Sequence, residues 1–73
     1  MDKSAFFAAV AEILEANPAG LTGDEQINDV GNWDSLSVIS FVAMVDSDMD
    51  QIVDGEQLKG ARTLNDLAAL VGL

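Results

Sequence analysis

The 73-residue chain is predicted to be all-α: a small bundle of three longer helices and one short third helix, with a long loop between the first and second. Three observations carry this. Apolar residues recur at helical spacing near the N-terminus, a nearly unbroken apolar run fills the middle, and a threonine-led apolar stripe closes the chain. No alternating strand pattern, repeat or low-complexity segment competes with them. Residues 1–73 are read as one domain, near the lower size limit for a self-sufficient core.

The first helix lies between Ser4 and Asn17. Phe6, Val10, Ile13 and Leu14 form one stripe, Phe7 and Ala11 widen it, and Glu12 and Glu15 lie off it. Asp2 or Ser4 supplies the cap, and Asn17-Pro18-Ala19-Gly20 is expected to stop the helix. Pro18 disfavours helical backbone at Asn17 and has no N–H for the ladder. From Gly20 to Trp33 an acidic, glycine-bearing stretch reads as an ordered loop anchored by Leu21, Ile27 and Val30. A loop of that length in so small a domain is usually functional.

Ser35 to about Asp48 is the second helix. Leu36, Val38, Ile39, Phe41, Val42, Ala43, Met44 and Val45 cover most of its circumference, which predicts the central element of the bundle. Ser37, Ser40, Met44 and Ser47 leave one narrow, nearly uncharged strip for solvent or a partner. An acidic connector with Ile52 and Val53 follows, and then Gly55 and Gly60 bracket a helical turn or two, the expected most mobile element. Thr63 and Asp66 have capping-box spacing, Leu64, Leu67, Ala68 and Val71 form the last stripe, and Gly72 ends it.

Composition narrows function sharply. Thirteen acids against three bases give a net charge of -10, which repels nucleic acid and anionic membranes and favours basic protein surfaces. With no cysteine there are no disulfides, thiolate nucleophiles or zinc-thiolate sites, and with no histidine the usual general base is missing. The chain is therefore read as not an enzyme. Met1-Asp2-Lys3-Ser4 does not begin a secretory leader, and no apolar run reaches membrane-spanning length, so a cytoplasmic, monomeric protein with no membrane insertion is expected.

One motif stands out, Trp33-Asp34-Ser35-Leu36, where the loop meets the apolar helix. Asp34 and Ser35 are both good N-caps, and Trp33 is placed for a hydrophobic staple with Val38, so capping alone explains much of it. Two other chemistries fail. Asp46, Asp48 and Asp50 begin like a calcium loop, but Gln51 and Gln57 stand where that loop needs glycine and glutamate. A nucleophile elbow needs small residues two positions either side of its serine, and here they are Trp33 and Ser37.

On these residues the chain resembles the acyl carrier protein family across nearly its whole length. The resemblance rests on Asp34-Ser35-Leu36 at the start of the second helix, that helix running through Phe41 and Val45, a short third helix near Glu56 to Lys59, and the Thr63-capped last helix. It implies a covalent 4'-phosphopantetheine arm on Ser35, within the motif that Asp34 and Leu36 complete. It further implies a role in carrying acyl thioesters for fatty acid, polyketide or related specialised biosynthesis. The implied partners are a phosphopantetheinyl transferase and acyl-transferring or acyl-activating synthase enzymes with basic docking surfaces. A phosphodiester there would sit at a helix N-terminus, which favours anions.

Two departures point away from the housekeeping fatty acid carrier. Asn32 stands where many members have glycine, with Gly31 one step earlier and Trp33 beside the motif, and Ser37 and Ser40 replace residues that are often acidic. Docking is then expected to lean on Leu36, Ala43 and Met44, with Asp29, Asp46 and Asp48 steering. Cargo is expected either among Val38, Phe41, Val45, Leu58 and Ala61 or on the surface. An aminoacyl or peptidyl carrier is the alternative within the class, and an unmodified acidic helical interaction module, with Ser35 only a cap, is the alternative outside it.

Overall fold

In the computed structural model, which describes residues 1–73, the helices are α1 (Lys3–Ile13), α2 (Ile27–Val30), α3 (Ser35–Met49), α4 (Gly55–Lys59) and α5 (Leu64–Leu70). The all-helical bundle has three longer members, α1, α3 and α5, and α4 as the short one. The addition is α2, a single turn inside the long loop, where Ile27 drops into the core.

Asp2, not Ser4, caps α1, its carboxylate accepting the Ala5 N–H at 2.8 Å. The helix stops at Ile13, short of the Asn17-Pro18 stop that the sequence suggests. Glu15 turns left-handed at φ 58°, its N–H donates to Glu12 O at 3.1 Å, and the Ala16 N–H reaches back to Ala11 O at 2.8 Å. These paired bonds satisfy the final carbonyls before Pro18 is reached. The stripe itself is as read: Phe6, Phe7, Val10, Ala11 and Leu14 are all buried.

The loop after α1 is pinned by more than its apolar anchors. Its backbone laces antiparallel to the entry of α5, with Ile27 N–H donating to Arg62 O at 2.8 Å, Leu64 N–H to Glu25 O at 3.2 Å and Asn65 N–H to Gly23 O at 2.8 Å. Gly23 is required here. At φ 104° it presses so close to Asn65 and the Phe7 ring that a Cβ would collide with both. Glu25 closes the turn by accepting the Thr22 N–H at 2.8 Å and the Gly23 N–H at 2.7 Å. The Thr22 bond is the leading cause holding its carboxyl below the usual range.

α3 packs against α1 and α4, but it is less enclosed than its apolar count implies. Only Ser37, Phe41 and Val45 are fully buried on it, while Leu36 stays 70% and Ile39 65% exposed. A bundle this small has no further helix to cover the outer face of α3. Ser37 departs from the expected outer strip and points inward. Phe41 meets Phe6 edge-on at 5.9 Å and Trp33 edge-on at 6.0 Å, so an aromatic chain runs from the motif into the core.

Capping fixes the last two helices. Asp54 and Gln57 form a capping box on α4, which buries only Leu58, and Thr63 and Asp66 form the predicted one on α5. Asp66 accepts the Arg62 N–H at 2.9 Å and the Thr63 N–H at 3.1 Å, the two leading causes of its lowered pKa. Gly72, at φ 83°, ends α5 as expected.

Candidate functional site

The motif sits where the loop turns into α3, and a glycine lets it get there. Gly31 passes against the end of α1 so closely that a Cβ would lie 2.5 Å from Leu14 O and 2.7 Å from Leu14 Cβ. A side chain at this step would push the loop away from α1. Two residues later the half-buried Trp33 seats on Phe41, which fixes the direction of entry into the helix.

Asp34 is the N-cap. Its Oδ1 accepts the Ser37 N–H at 2.9 Å and lies 3.1 Å from Ser37 Oγ, whose hydroxyl also donates to Asn32 O at 2.7 Å. The Ser37 backbone bond, then its hydroxyl, holds the Asp34 carboxyl below its ordinary range, so it is ionised at neutral pH. Ser37 thus earns its burial, tying the cap to the loop. Ser35, the first residue of α3, is exposed and its hydroxyl makes no hydrogen bond within the chain. Asp34, and not Ser35, is the cap, and Ser35 Oγ makes no hydrogen bond within the chain.

Two hollows flank the start of α3. Successive helix residues are rotated by about 100°, so neighbours in the motif face different sides. Ser35 and Trp33 line a hollow of about 470 Å³ between α3 and α4, with Val38, Ile39 and Leu58 as its apolar wall and Asp54, Glu56 and Lys59 at its rim. Lys59 pairs with Glu56 at 2.9 Å. Asp34 and Leu36 line the other, about 430 Å³, between α3 and the end of α1.

Of the expected cargo-facing residues, Val38 and Leu58 line the Ser35 hollow. Phe41 and Val45 do not, because both are wholly buried in the core, and Ala61 borders a separate small hollow between α4 and α5. Of the expected docking residues, Leu36 and Met44 line the α1 side, whereas Ala43 is exposed on α3 outside either hollow. Asp46 and Asp48 fall near the far end of α3, roughly 15–20 Å along the helix from Ser35, and Asp29 is exposed on α2. The acids that share the α1-side hollow with Asp34 and Leu36 are instead Glu12 and Glu15. Sequence reasoning missed them because it placed them as solvated residues in a longer α1. Ile39 was findable, one turn after Ser35.

No three acidic side chains converge into a metal-binding group, and no helix is long and apolar enough to cross a membrane. A free, exposed serine hydroxyl at a helix start suits attachment of a phosphodiester arm, since helix N-termini favour anions. The family model described as "phosphopantetheine attachment site" matches residues 4–71. No curated protein and no solved structure matches the chain. With an all-helical bundle and a match over nearly its full length, the chain belongs to the phosphopantetheine attachment site family, non-catalytic carrier domains that bear a covalent 4'-phosphopantetheine.

Proposed function

We propose that residues 1–73 act as a single acyl carrier domain whose arm is attached through Ser35 Oγ. The observation that carries this is the division of work at the start of α3: Asp34 caps the helix and Ser35 keeps an exposed, unengaged hydroxyl. The arm supplies a terminal thiol, and with it the thioester chemistry that a cysteine-free chain lacks.

The chain's own residues support that role. The positive end of α3 favours the phosphodiester, and Lys59 is the one base lining the hollow that Ser35 borders. Trp33, Val38, Ile39 and Leu58 offer an apolar wall against which an acyl chain loses water contact. Asp34, already bonded to Ser37, holds the first turn in place whether or not Ser35 is modified.

The departures at Asn32, Ser37 and Ser40 favour a specialised fatty acid or polyketide-type pathway over housekeeping synthesis. The single Gly31 before the motif, in place of paired glycines, weighs against an aminoacyl or peptidyl carrier. The proposed setting is the cytoplasm, where coenzyme A supplies the arm, and the proposed state is a monomer. Its partners are a phosphopantetheinyl transferase and synthase enzymes with basic surfaces, to which a net charge of -10 is attractive at long range.

Incubation with coenzyme A and a broad-specificity phosphopantetheinyl transferase should add the mass of the arm to the wild type and nothing to Ser35→Ala. No gain in the wild type would overturn the attachment. On loaded protein, acylation should move the amide signals of Ile39 and Leu58; changes limited to Ser35 and Leu36 would mean the cargo stays on the surface.

A further inference from the structure

We propose that Ser37 is a positioning residue for the loading of Ser35: its buried hydroxyl latches the turn that carries Ser35 and so aims the Ser35 hydroxyl at an incoming transferase. The proposal rests on the reading of Ser35 as the attachment point. Ser37 is the one buried polar residue of the chain, 7% exposed, although Asp34, Ser35 and Leu36 before it are all exposed. A buried hydroxyl persists where it is bonded, and this one shares a single proton between two acceptors, Asn32 O at 2.7 Å and Asp34 Oδ1 at 3.1 Å. The Ser37 N–H donates to the same Asp34 oxygen at 2.9 Å.

Capping needs only the last of these bonds, and any residue other than proline at position 37 would supply it. The hydroxyl does something further. It reaches back to the Asn32 carbonyl and closes the chain over Trp33, Asp34, Ser35 and Leu36, and neither Asn32 nor Trp33 makes any other hydrogen bond within the chain. The Ser35 side chain has no bond of its own, so the direction of its hydroxyl is inherited from this turn. Loading forms a bond from Ser35 Oγ to a phosphorus of the coenzyme A diphosphate and breaks the bond from that phosphorus to the bridging oxygen. Adenosine bisphosphate leaves, and the serine proton passes to a base of the transferase. Such an in-line displacement depends on the aim of the attacking oxygen, so a loosened turn slows the chemical step and leaves docking intact.

The test follows loading from coenzyme A by a broad-specificity phosphopantetheinyl transferase, read by intact mass over a range of carrier concentrations. Ser37→Ala should lower kcat about tenfold and leave KM within about twofold. Ser37→Thr keeps a hydroxyl, and its added methyl can enter the hollow that Ser37 lines, so it should load like the wild type. On unloaded protein, Ser37→Ala should move the amide signals of Asn32 to Ser35 and leave those of the core and α5 in place. A loss carried by KM, an equal loss in Ser37→Thr, unmoved Asn32 to Ser35 signals, or changes spread through the core would overturn the proposal. A wild type that fails to load would overturn the attachment reading and this proposal with it, whereas a wild type and Ser37→Ala that load equally fast would overturn the positioning role alone.

Discussion

The two hollows beside α3 begin at adjacent residues of one motif and differ in their charge and in the helix that walls them. The α4 side is mostly apolar, holds Ser35 and Trp33, and sets one base against two acids; the α1 side holds three acids and no base. Their outer walls differ too. α1 is an 11-residue helix with four buried residues, locked to the loop where Gly31 meets Leu14, whereas α4 has five residues and one buried anchor, Leu58. A wall with so few apolar contacts opens at low cost, and one so closely packed does not. The lesson is that adjacent residues of one motif border a lightly anchored wall on one side and a closely packed one on the other.

That contrast breaks most severely at Gly31. In Gly31→Ala the added methyl meets Leu14 backbone and side chain, so the α1 side must spread, at a cost of about 1–3 kcal/mol in urea unfolding. The α4 side has no part in that clash, and the folded fraction should still accept the arm. Unchanged stability would show that α1 gives way as readily as α4.

Glu15→Gly sharpens the contrast in the other direction. Glutamate is held left-handed at φ 58°, a conformation glycine adopts freely, and its charge opposes the helix dipole. The variant should gain about 0.5–1 kcal/mol, raising Tm by about 2–8 °C. A lower Tm would contradict this account of the end of α1.

The smallest effect is on pH dependence. Asp34, Glu25 and Asp66 all have folded-state pKa values lowered mainly by backbone N–H groups, those of Ser37, Thr22 and Arg62 respectively. Because the folded value lies below the unfolded one, their contribution is complete above the unfolded pKa and is lost as pH falls through the folded one, below about pH 4. Acid also relieves the self-repulsion of a chain at -10, so the informative quantity is the difference between wild type and Asp66→Asn. That difference should shrink on going from pH 6 to pH 3; a constant difference would mean Asp66 caps α5 as well protonated as charged.

What could be read in advance followed signals that are local in the chain. The start of α3, the glycine-bracketed α4 and the Thr63–Asp66 box all have capping or breaking residues at fixed offsets, and all three appear as read. The end of α1 was misplaced because its left-handed residue is a glutamate, with none of the glycine signal such ends usually carry. α2 is one turn, too short for a periodicity to register, and the lacing of residues 23–27 to the entry of α5 is a long-range pairing that no local pattern encodes. At the site, the motif offered both Asp34 and Ser35 as good N-caps. Which one takes Ser37 depends on how Gly31 and Trp33 aim the chain into α3, and that is decided by packing.

The central claim is that this packing leaves Ser35, and not its neighbour Ser37, with an exposed hydroxyl free to carry the arm. Fragment mass mapping of protein loaded from coenzyme A tests it most directly. The account predicts the added mass on the fragment ion that isolates Ser35, with Ser37 unmodified because its hydroxyl is buried and bonded to Asn32 and Asp34. Added mass on Ser37, Ser40 or any other hydroxyl, with Ser35 unmodified, would contradict it.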